Sequence, residues 1–457
     1  MSELVIFGLF IQACALVLLF ARLRQGWFRY LGAIFILMAV FYHGVSEIFA
    51  ALFPEVDSYR SLFGPAYADQ FILLVSTAIL AFTVAYCCAI GRKRQVSPAA
   101  DPHAVAVTAS IFDYRVLLLV TGPLLVLTLG GQGYASNGGL NSGTGVGTVL
   151  GLTEQFFILG VMLSGLGLII RFGQRWFLPV LGAQSLLLAL VGERRAILVG
   201  AVMLVCALAR MGLKIRRRQA YACVALLLVI AWAVTAARGA EGRYASTSGA
   251  SVRLTFLTTG VSHLFSASTG EEIVYTLGYR LDGDSYGAMS LEALASGSSP
   301  VGLTPLKNDV LLAIPSFLYP QKDQSNVADR SEKLYVEENL PIPELQTSPG
   351  VYIDILPTQL GGLTGILGPV DMICAAFILG LAFAALDRWL ARRLGPMRML
   401  IFLGFLYSVL DYEGSWDTYT TTARGIFLLI IFLAPIVALK QYAQDLRQRT
   451  FSSAKEG

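Results

Sequence analysis

The segment Gly278-Tyr-Arg-Leu-Asp-Gly-Asp-Ser285 lies inside the long interval Arg238–Gly361, which separates two sets of apolar runs. The same interval contains Ala313-Ile-Pro-Ser-Phe-Leu-Tyr-Pro-Gln-Lys-Asp323, in which prolines alternate with large apolar side chains. Arg238–Gly361 is the one long interval of the sequence that is too polar to cross a membrane. Because loops of this length in compact proteins usually carry function, we predict that this one covers a site at the ends of the helices.

The composition places the chain in a lipid bilayer. Of the 457 residues, 55% are hydrophobic and 14% are charged, and the mean hydropathy is +0.65. Soluble domains carry roughly a quarter charged residues. The net charge of +4 is too small to indicate a nucleic-acid partner. All six cysteines fall in apolar runs, which predicts that the chain has no disulfide framework.

Eleven apolar runs have about the length that a membrane-crossing helix needs. They are Leu4–Phe20, Tyr30–Phe53, Gln70–Gly91, Val116–Gly130, Phe156–Ile170, Trp176–Val191, Ala196–Met211, Tyr221–Ala236, Leu363–Leu386, Met399–Tyr412 and Ile426–Lys440. The predicted fold is therefore an all-α polytopic membrane protein with one large external loop. Residues 1–237 hold eight helices, 238–361 form the loop, and 362–457 hold three helices and a tail. Within the loop, Leu254–Ala267 could form an interfacial or re-entrant helix.

The basic residues predict the orientation of the chain. Twenty-two of the 34 lysines and arginines fall in the connections on one side of the predicted spans, and only four fall in the short connections on the other. Short loops rich in Lys and Arg stay in the cytoplasm. We therefore predict an external N-terminus, an external large loop and a cytoplasmic C-terminus. The four basic residues on the outer side are Arg60, Arg194, Arg195 and Arg424.

Two arginines stand at a tight external turn in Val191-Gly-Glu-Arg-Arg-Ala196. Positive charge is scarce on this side, so its presence at Arg194 and Arg195 needs a reason. A guanidinium is always charged, and its planar fork binds phosphate or carboxylate through paired hydrogen bonds. The turn therefore favours an anion site. The alternative is an ion pair between Glu193 and one of the arginines.

The large loop contains two further groups of candidate residues. Arg280 and Asp282 stand close together and could bind a diphosphate or position a sugar hydroxyl, or they could pair with one another on a solvated loop. The second group is the segment Ala313–Asp323, in which Pro315 and Pro320 prevent a regular helix and Tyr319 favours the membrane interface. That group could hold Lys322 at the level of the lipid headgroups, or it could only anchor the loop.

The segment Asp411-Tyr-Glu-Gly-Ser-Trp-Asp417 and the following Arg424 lie at the predicted outer ends of the last two spans. Three carboxylates and an arginine at a membrane boundary are costly and tend to be functional, although a solvated turn is the alternative. His43 and Glu47 lie four residues apart in the second span. For that pair, helix–helix hydrogen bonding is the better explanation.

Motifs of soluble enzymes are absent from the sequence: it has no Walker loop, no dinucleotide-binding glycine pattern and no H-E-x-x-H. Asp282-Gly-Asp284 has the form of a metal-binding motif for nucleotide sugars. It lies on the predicted outer side, where nucleotide sugars do not occur. Because so few oxygen ligands cluster in the sequence, we expect no metal ion, and we expect no cofactor.

From Gly192 to Arg424, about half of the chain, the order and character of these motifs resemble bacterial oligosaccharide repeat-unit polymerases of the Wzy type. That family includes the O-antigen and enterobacterial common antigen polymerases. The most specific element is Ile314-Pro-Ser-Phe-Leu-Tyr-Pro-Gln-Lys322. The weaker elements are Gly192-x-x-Arg195, Arg280-x-Asp282, the Ser348-Pro turn, Gly361-Gly362, and Glu413-Gly414 upstream of Arg424.

The resemblance implies a fold similar to the integral-membrane glycosyltransferases that use lipid-linked donors, the GT-C-like enzymes. It implies a multi-pass protein of the bacterial inner membrane, with a periplasmic N-terminus and a cytoplasmic C-terminus. The growing lipopolysaccharide or exopolysaccharide glycan would leave undecaprenyl diphosphate at the periplasmic face and join a hydroxyl of the next lipid-linked oligosaccharide unit. Besides this substrate and the bilayer, a chain-length regulator and a flippase are implied partners.

In that reaction a carboxylate would act as general base, and arginines would stabilise the departing diphosphate. The residues that the resemblance implies for catalysis are Arg195, Arg280, Asp282, Glu413 and Arg424. Those implied for substrate binding are Arg194, Lys322, Tyr319, Asp417 and Asp411. The choice of base among the carboxylates stays open at this point.

Two alternative functions remain open. A ligase that transfers the finished glycan to another acceptor would share the fold and the donor, and ligases of that sort resemble a pattern with a histidine in the large outer loop. His263 is the histidine of this loop. A transporter or flippase for the lipid-linked glycan would instead require charged residues buried in mid-membrane and repeated halves. The sequence shows no such repeat.

Overall fold

The computed structural model describes residues 2–23, 26–53, 65–91, 164–191, 194–212, 281–314, 357–392, 396–414 and 418–427, without 421, together with isolated positions such as 161, 278 and 416. Every regular element in these ranges is a helix. This agrees with the all-α class predicted from the sequence.

Eleven α-helices have defined bounds in this part of the chain. They are α1 (Glu3–Leu23), α2 (Leu31–Val40), α3 (Ser46–Leu52), α4 (Pro65–Ile90), α5 (Phe177–Val191), α6 (Arg194–Arg210), α7 (Ser285–Ala295), α8 (Thr304–Ala313), α9 (Gln359–Leu367), α10 (Pro369–Ala391) and α11 (Pro396–Leu410). A π-helical turn, Phe41–Val45, joins α2 to α3, and short 3-10 turns cover Trp27–Arg29 and Gln174–Trp176. Residues 418–420 and 422–427 are also helical.

Four of these helical stretches are long and apolar enough to cross a bilayer. They are Glu3–Leu23, Leu31–Leu52, Ala66–Ile90 and Pro369–Ala391. They correspond to the first, second, third and ninth predicted spans, so the chain is consistent with a helical membrane protein. Val199–Arg210 and Met397–Leu410 are shorter apolar helices. The total of eleven spans stays a prediction, because Val116–Gly130 and most of Tyr221–Ala236 and Ile426–Lys440 lie outside the described residues.

Large apolar side chains cover the outward faces of α1 and α10. In a water-soluble monomer such extended apolar patches are rare, whereas lipid chains solvate them. The exposed residues on α1 include Ile6, Phe7, Phe10 and Val17, and those on α10 include Val370, Phe377, Ile378 and Leu381. These faces therefore support a bilayer environment for both helices.

Helix α4 lies at the centre of the bundle, with α1 and α10 packed along it. The ring of Phe82 on α4 stacks on Phe35 of α2 at a centroid distance of 4.7 Å, and Phe383 of α10 contacts both rings. Gly380 lets α10 approach closely, because an added Cβ there would overlap the carbonyl oxygen of Phe82. Small residues serve the same purpose in many membrane helix pairs.

The contacts between helices show their relative directions. Near one end of the bundle Tyr86 of α4 meets both Gly32 of α2 and Asp387 of α10. Near the other end His43 meets Phe71 of α4. Helices α4 and α10 therefore run in the same direction, and the stretch from Leu31 to Leu52 runs against them. The order of the predicted spans requires this alternation.

The ninth span differs from its predicted bounds. We predicted Leu363–Leu386, but the membrane-length helix begins at Pro369, and α9 before it is a separate short helix. Gly368 separates the two with a φ of 85°, which glycine adopts without a Cβ penalty. Proline then occupies the first position of α10, where its missing N–H costs nothing. The predicted loop boundary at Gly361 thus falls inside α9.

The described part of the large loop is built into the bundle. Helix α7 packs against α4 and α9, and at Gly287 an added Cβ would overlap the ring of Phe71. The chain after α7 pairs with α9 through hydrogen bonds from Val301 N to Gly365 O (3.1 Å) and from Gly302 N to Ile366 O (2.8 Å). Helix α7 of the loop therefore belongs to the packed bundle, and the prediction that the loop covers a site at the helix ends stays a prediction.

We expect cysteine labelling to report the predicted orientation. Ser299 is exposed and precedes Pro300, whose ring lies beside Gly368 at the start of α10. Ala391 is exposed at the opposite end of the same helix. In intact spheroplasts, a membrane-impermeant maleimide should label Ser299→Cys, and it should label Ala391→Cys only after permeabilisation. The unmodified protein provides the blank, and the reverse pattern would invert the topology.

Candidate functional site

The bundle has two ends that differ in charge. At one end the Arg210 guanidinium donates to the carbonyl oxygen of Arg29 at 2.8 Å and lies over the ring of Phe402, 4.4 Å from its centroid. We call this the basic end. The opposite end, which we call the acidic end, contains Asp282, Asp284, Asp411 and Glu413 together with His43. By the distribution of basic residues, the acidic end is the one predicted to face outward.

A chain of hydrogen bonds links three elements at the acidic end. His43, in the π turn, bonds through Nδ1 to Asp284 Oδ1 at 2.6 Å and through Nε2 to the Tyr412 hydroxyl at 3.1 Å. Ser46 Oγ donates to the other Asp284 oxygen at 3.1 Å. The exposed fractions of His43 and Asp284 are 0% and 1%. The second span, the start of α7 and the turn after α11 are thus joined inside the protein.

The hydrogen-bond directions in this chain follow from its partners. Burial raises the pKa of Tyr412 well above its ordinary value, and the negative charge of Asp284 raises it further. The Tyr412 hydroxyl therefore keeps its proton at neutral pH and can donate to Nε2 of His43. A carboxylate oxygen only accepts hydrogen bonds, so Nδ1 is the donor to Asp284.

Glu413 follows Tyr412 in the same turn and is partly exposed. The Tyr42 hydroxyl donates to Glu413 Oε1 at 2.6 Å. The ring of Tyr42 also stacks on that of Tyr412, with a centroid distance of 5.5 Å and an interplanar angle of 24°. One carboxylate oxygen is therefore held by a short charge-assisted hydrogen bond, while the residue still reaches the surface.

Gln359, the first residue of α9, holds the turn after α11. Its backbone N–H donates to Tyr412 O at 3.1 Å, and its side-chain amide donates to Ser408 O at 2.8 Å. Its amide oxygen accepts from the Tyr419 hydroxyl at 2.9 Å, and its carbonyl oxygen accepts from Trp416 Nε1 at 2.8 Å. A single buried glutamine thus holds the backbone just before Glu413 and the side chains of Trp416 and Tyr419 after it.

Asp282 has a structural role at the start of α7. Its Oδ1 accepts from the backbone N–H of Ser285 at 3.1 Å, and its Oδ2 accepts from the Ser285 hydroxyl at 2.6 Å. Asp282 thus accepts from the first N–H of α7, while Asp284 occupies the N-cap position and makes no side-chain cap bond. The solvated loop that we kept as one alternative does not describe Asp282, which is buried. A catalytic role for Asp282 stays a prediction, but both of its oxygens accept hydrogen bonds from Ser285.

The residues predicted around the last two spans are only partly brought together. Asp411 is buried in the turn beside Gln359, whose amide also donates to Asp411 O at 3.3 Å. Arg424 is half-buried in the helical residues 422–427. Its place at the outer end of the last span stays a prediction. The solvated turn that we kept as the alternative does not describe Asp411.

The remaining predicted residues cannot be placed at the site. Arg194 and Arg195 begin α6, so they belong to the first turn of a helix, and the positions of their side chains are not described. Four predicted residues lie outside the described residues: Arg280, Tyr319, Lys322 and Asp417. His263, on which the ligase alternative depends, lies outside them as well. Within the described ranges, no group of three or more His, Cys, Asp or Glu side chains is placed to hold a metal ion.

Sequence reasoning missed most of the residues that organise the acidic end. Tyr42 and Gln359 sit in apolar stretches and give no motif. His43 was assigned to helix–helix hydrogen bonding, and its bonds do connect different elements, but its partners proved to be Asp284 and Tyr412. The sequence did contain one signal for His43. An ionisable residue within a membrane-length helix is energetically costly, so such residues are rare and tend to be functional.

No protein-family profile, curated protein or solved structure matches this chain. The resemblance to Wzy-type polymerases therefore rests on the motifs of the sequence alone. What it implies about activity enters below as a proposal.

Proposed function

We propose that the protein is a glycosyltransferase that joins oligosaccharide units carried on a lipid diphosphate, as Wzy-type polymerases do. The observation that supports this most is the setting of Glu413. Its carboxylate is held by Tyr42, the carbonyl oxygen of the preceding Tyr412 is held by the Gln359 N–H, and Glu413 is partly exposed at the acidic end of the bundle. A general base for a membrane-anchored acceptor needs a positioned carboxylate that its substrate can reach.

The proposed reaction takes place at the outer face of the bacterial inner membrane. The acceptor hydroxyl oxygen forms a bond to the anomeric carbon of the donor glycan, and its proton passes to the Glu413 carboxylate. The bond between that carbon and the diphosphate oxygen breaks, and its electron pair leaves with the lipid diphosphate. Arg195 and Arg424 are the candidates to stabilise the negative charge on the leaving group. A flippase would supply the substrate, and a chain-length regulator would limit the product.

A transporter of lipid-linked glycans is the second candidate, and one observation favours it. His43 and Asp284 are buried among membrane-length helices, and α7 and α9 begin inside the bundle, where the Thr358 hydroxyl donates to Gly283 O at 3.3 Å. Short helices that begin within the membrane, with polar groups beside them, are typical of transporter binding sites.

The two candidates and the ligase alternative give different products in a single experiment. Purified protein in liposomes is mixed with polyprenyl-diphosphate-linked repeat units, in buffer with excess chelator, and products are separated on a gel. A polymerase yields a ladder of glycans on the lipid. A transporter moves the substrate across the bilayer and leaves single units, and a ligase transfers glycan only when a different acceptor is supplied. Single units alone, with active protein in the membrane, would reject the polymerase.

We expect Arg195→Lys and Arg424→Lys each to lower polymer formation about tenfold or more, equivalent to a barrier increase of roughly 1.4 kcal/mol. Lysine keeps the charge but loses the two fixed hydrogen bonds of the guanidinium fork. Initial rates of ladder formation give the measurement. Arg388→Lys, at an exposed site near the basic end of α10, is the matched control. Normal rates in both variants would mean that these arginines do not hold the diphosphate.

A further inference from the structure

The π turn Phe41–Val45 directs two neighbouring side chains, Tyr42 and His43, toward one short segment. Adjacent residues of a helix normally point in different directions, about 100° apart. Here the Tyr42 hydroxyl bonds to Glu413 and the His43 ring bonds to Tyr412. Single π turns inside α-helices occur often at functional sites. This one brings the second span into contact with the turn that carries the proposed base.

The contacts form two parallel supports for the same turn. Tyr42 holds the Glu413 carboxylate directly. His43 holds the Tyr412 hydroxyl, and Asp284 in turn holds His43 at 2.6 Å. The rings add to this arrangement, because Tyr412 stacks on Tyr42 and meets His43 edge to face with a centroid distance of 5.7 Å. Tyr412 is fully buried, so Glu413 follows a residue that has little freedom to move.

Given the proposed function, we infer that Tyr42 and His43 are positioning residues for Glu413 and that Asp284 orients His43. Rate acceleration by a general base depends on holding the carboxylate in the reactive geometry. The supports here come from the second span and from the start of α7, which are far from Glu413 in the sequence. Neither Tyr42 nor His43 needs to touch the substrate to have this effect.

Two tyrosine variants test the Tyr42–Glu413 and His43–Tyr412 hydrogen bonds without creating a large cavity in the core. Tyr42→Phe removes only the hydroxyl that holds Glu413 and keeps the stacked ring. Tyr412→Phe removes the hydroxyl that His43 holds and leaves the His43–Asp284 pair intact. We expect Tyr42→Phe to lower kcat about tenfold with KM within twofold of the unmodified protein, and Tyr412→Phe to lower kcat by a smaller factor. Tyr67→Phe, on α4 outside this cluster, is the matched control.

A double-mutant comparison separates positioning from general weakening of the fold. In Glu413→Asp the shorter side chain keeps a carboxylate but draws it back from the Tyr42 hydroxyl. If Tyr42 acts through Glu413, adding Tyr42→Phe to Glu413→Asp should change kcat by less than about twofold. An equal tenfold loss in both backgrounds, or no loss from Tyr42→Phe alone, would overturn the inference while leaving the polymerase proposal in place. An unmodified protein that makes no polymer would overturn both.

Discussion

Replacing Asp387 with alanine should destabilise the bundle strongly. Asp387 lies near the end of α10, and its exposed fraction is 0%. One carboxylate oxygen accepts from Leu31 N at 2.9 Å, and the other accepts from Gly32 N at 3.0 Å and from the Tyr86 hydroxyl at 2.8 Å. Leu31 and Gly32 are the first residues of α2, whose N–H groups have no partner within their own helix. Asp387 thus caps α2 from another helix and joins it to α4.

The size of the effect follows from the number of donors left behind. A buried donor that loses its partner costs about 1–3 kcal/mol, so removing three acceptor contacts should cost about 3 kcal/mol or more. In Asp387→Asn one end of the side chain still accepts, so the loss should be smaller. Thermal unfolding of detergent-solubilised protein gives the measurement, and the melting temperature should fall by several degrees for Asp387→Ala.

Asp371 provides the control for this prediction. It lies in the first turn of the same helix and is exposed, so Asp371→Asn should leave the melting temperature nearly unchanged. If Asp371→Asn and Asp387→Ala had the same small effect, the cap from α10 to α2 would contribute little to stability.

The second large effect is expected on activity and not on stability. Glu413→Gln keeps an oxygen that can accept from the Tyr42 hydroxyl but cannot take a proton from the acceptor. General bases contribute typically 10²–10⁴-fold to a rate, so polymer formation should fall by about 100-fold or more. The melting temperature should stay close to that of the unmodified protein, because the residue is only partly buried and its hydrogen bond is retained.

Asp69→Asn is the matched control for the loss of a carboxylate. Asp69 lies in the first turns of α4, at the same end of the bundle, and is partly exposed. It should polymerise at a normal rate. A normal ladder from Glu413→Gln would exclude Glu413 as the base and direct attention to Asp411 or Asp417, the other carboxylates of that segment.

The membrane-length helices were predictable because the bilayer imposes a requirement that composition alone can meet. A spanning helix needs about 20 mostly apolar residues, and Glu3–Leu23, Leu31–Leu52 and Ala66–Ile90 meet it wherever they pack. Their relative directions also followed, since each span reverses the chain. The boundary of the ninth span could not be predicted in this way, because Gly361–Leu367 is as apolar as the start of α10. The Gly368-Pro369 pair was the signal for the break between them.

Helix α7 could not be predicted as part of the bundle. Its sequence, Ser285-Tyr-Gly-Ala-Met-Ser-Leu-Glu-Ala-Leu-Ala295, is too short and too polar to indicate a span. Its small residues matter only when a partner is present: Gly287 allows the ring of Phe71 to lie against the backbone. Burial of Asp284 follows from that packing, and nothing in the local sequence distinguishes it from a carboxylate on a solvated loop.

The sequence by itself determined the helical class, the membrane environment and the segregation of charge, since these depend on hydropathy and length, which are local properties. It also identified the segments around Asp282 and Glu413 as candidates. Only the tertiary structure decided which residues act together at the acidic end. His43, Asp284 and Glu413 lie more than 100 residues from one another in the sequence. A hydrogen bond between buried groups depends on distances of about 3 Å. Such distances are set by how the helices pack, and no sequence spacing records them.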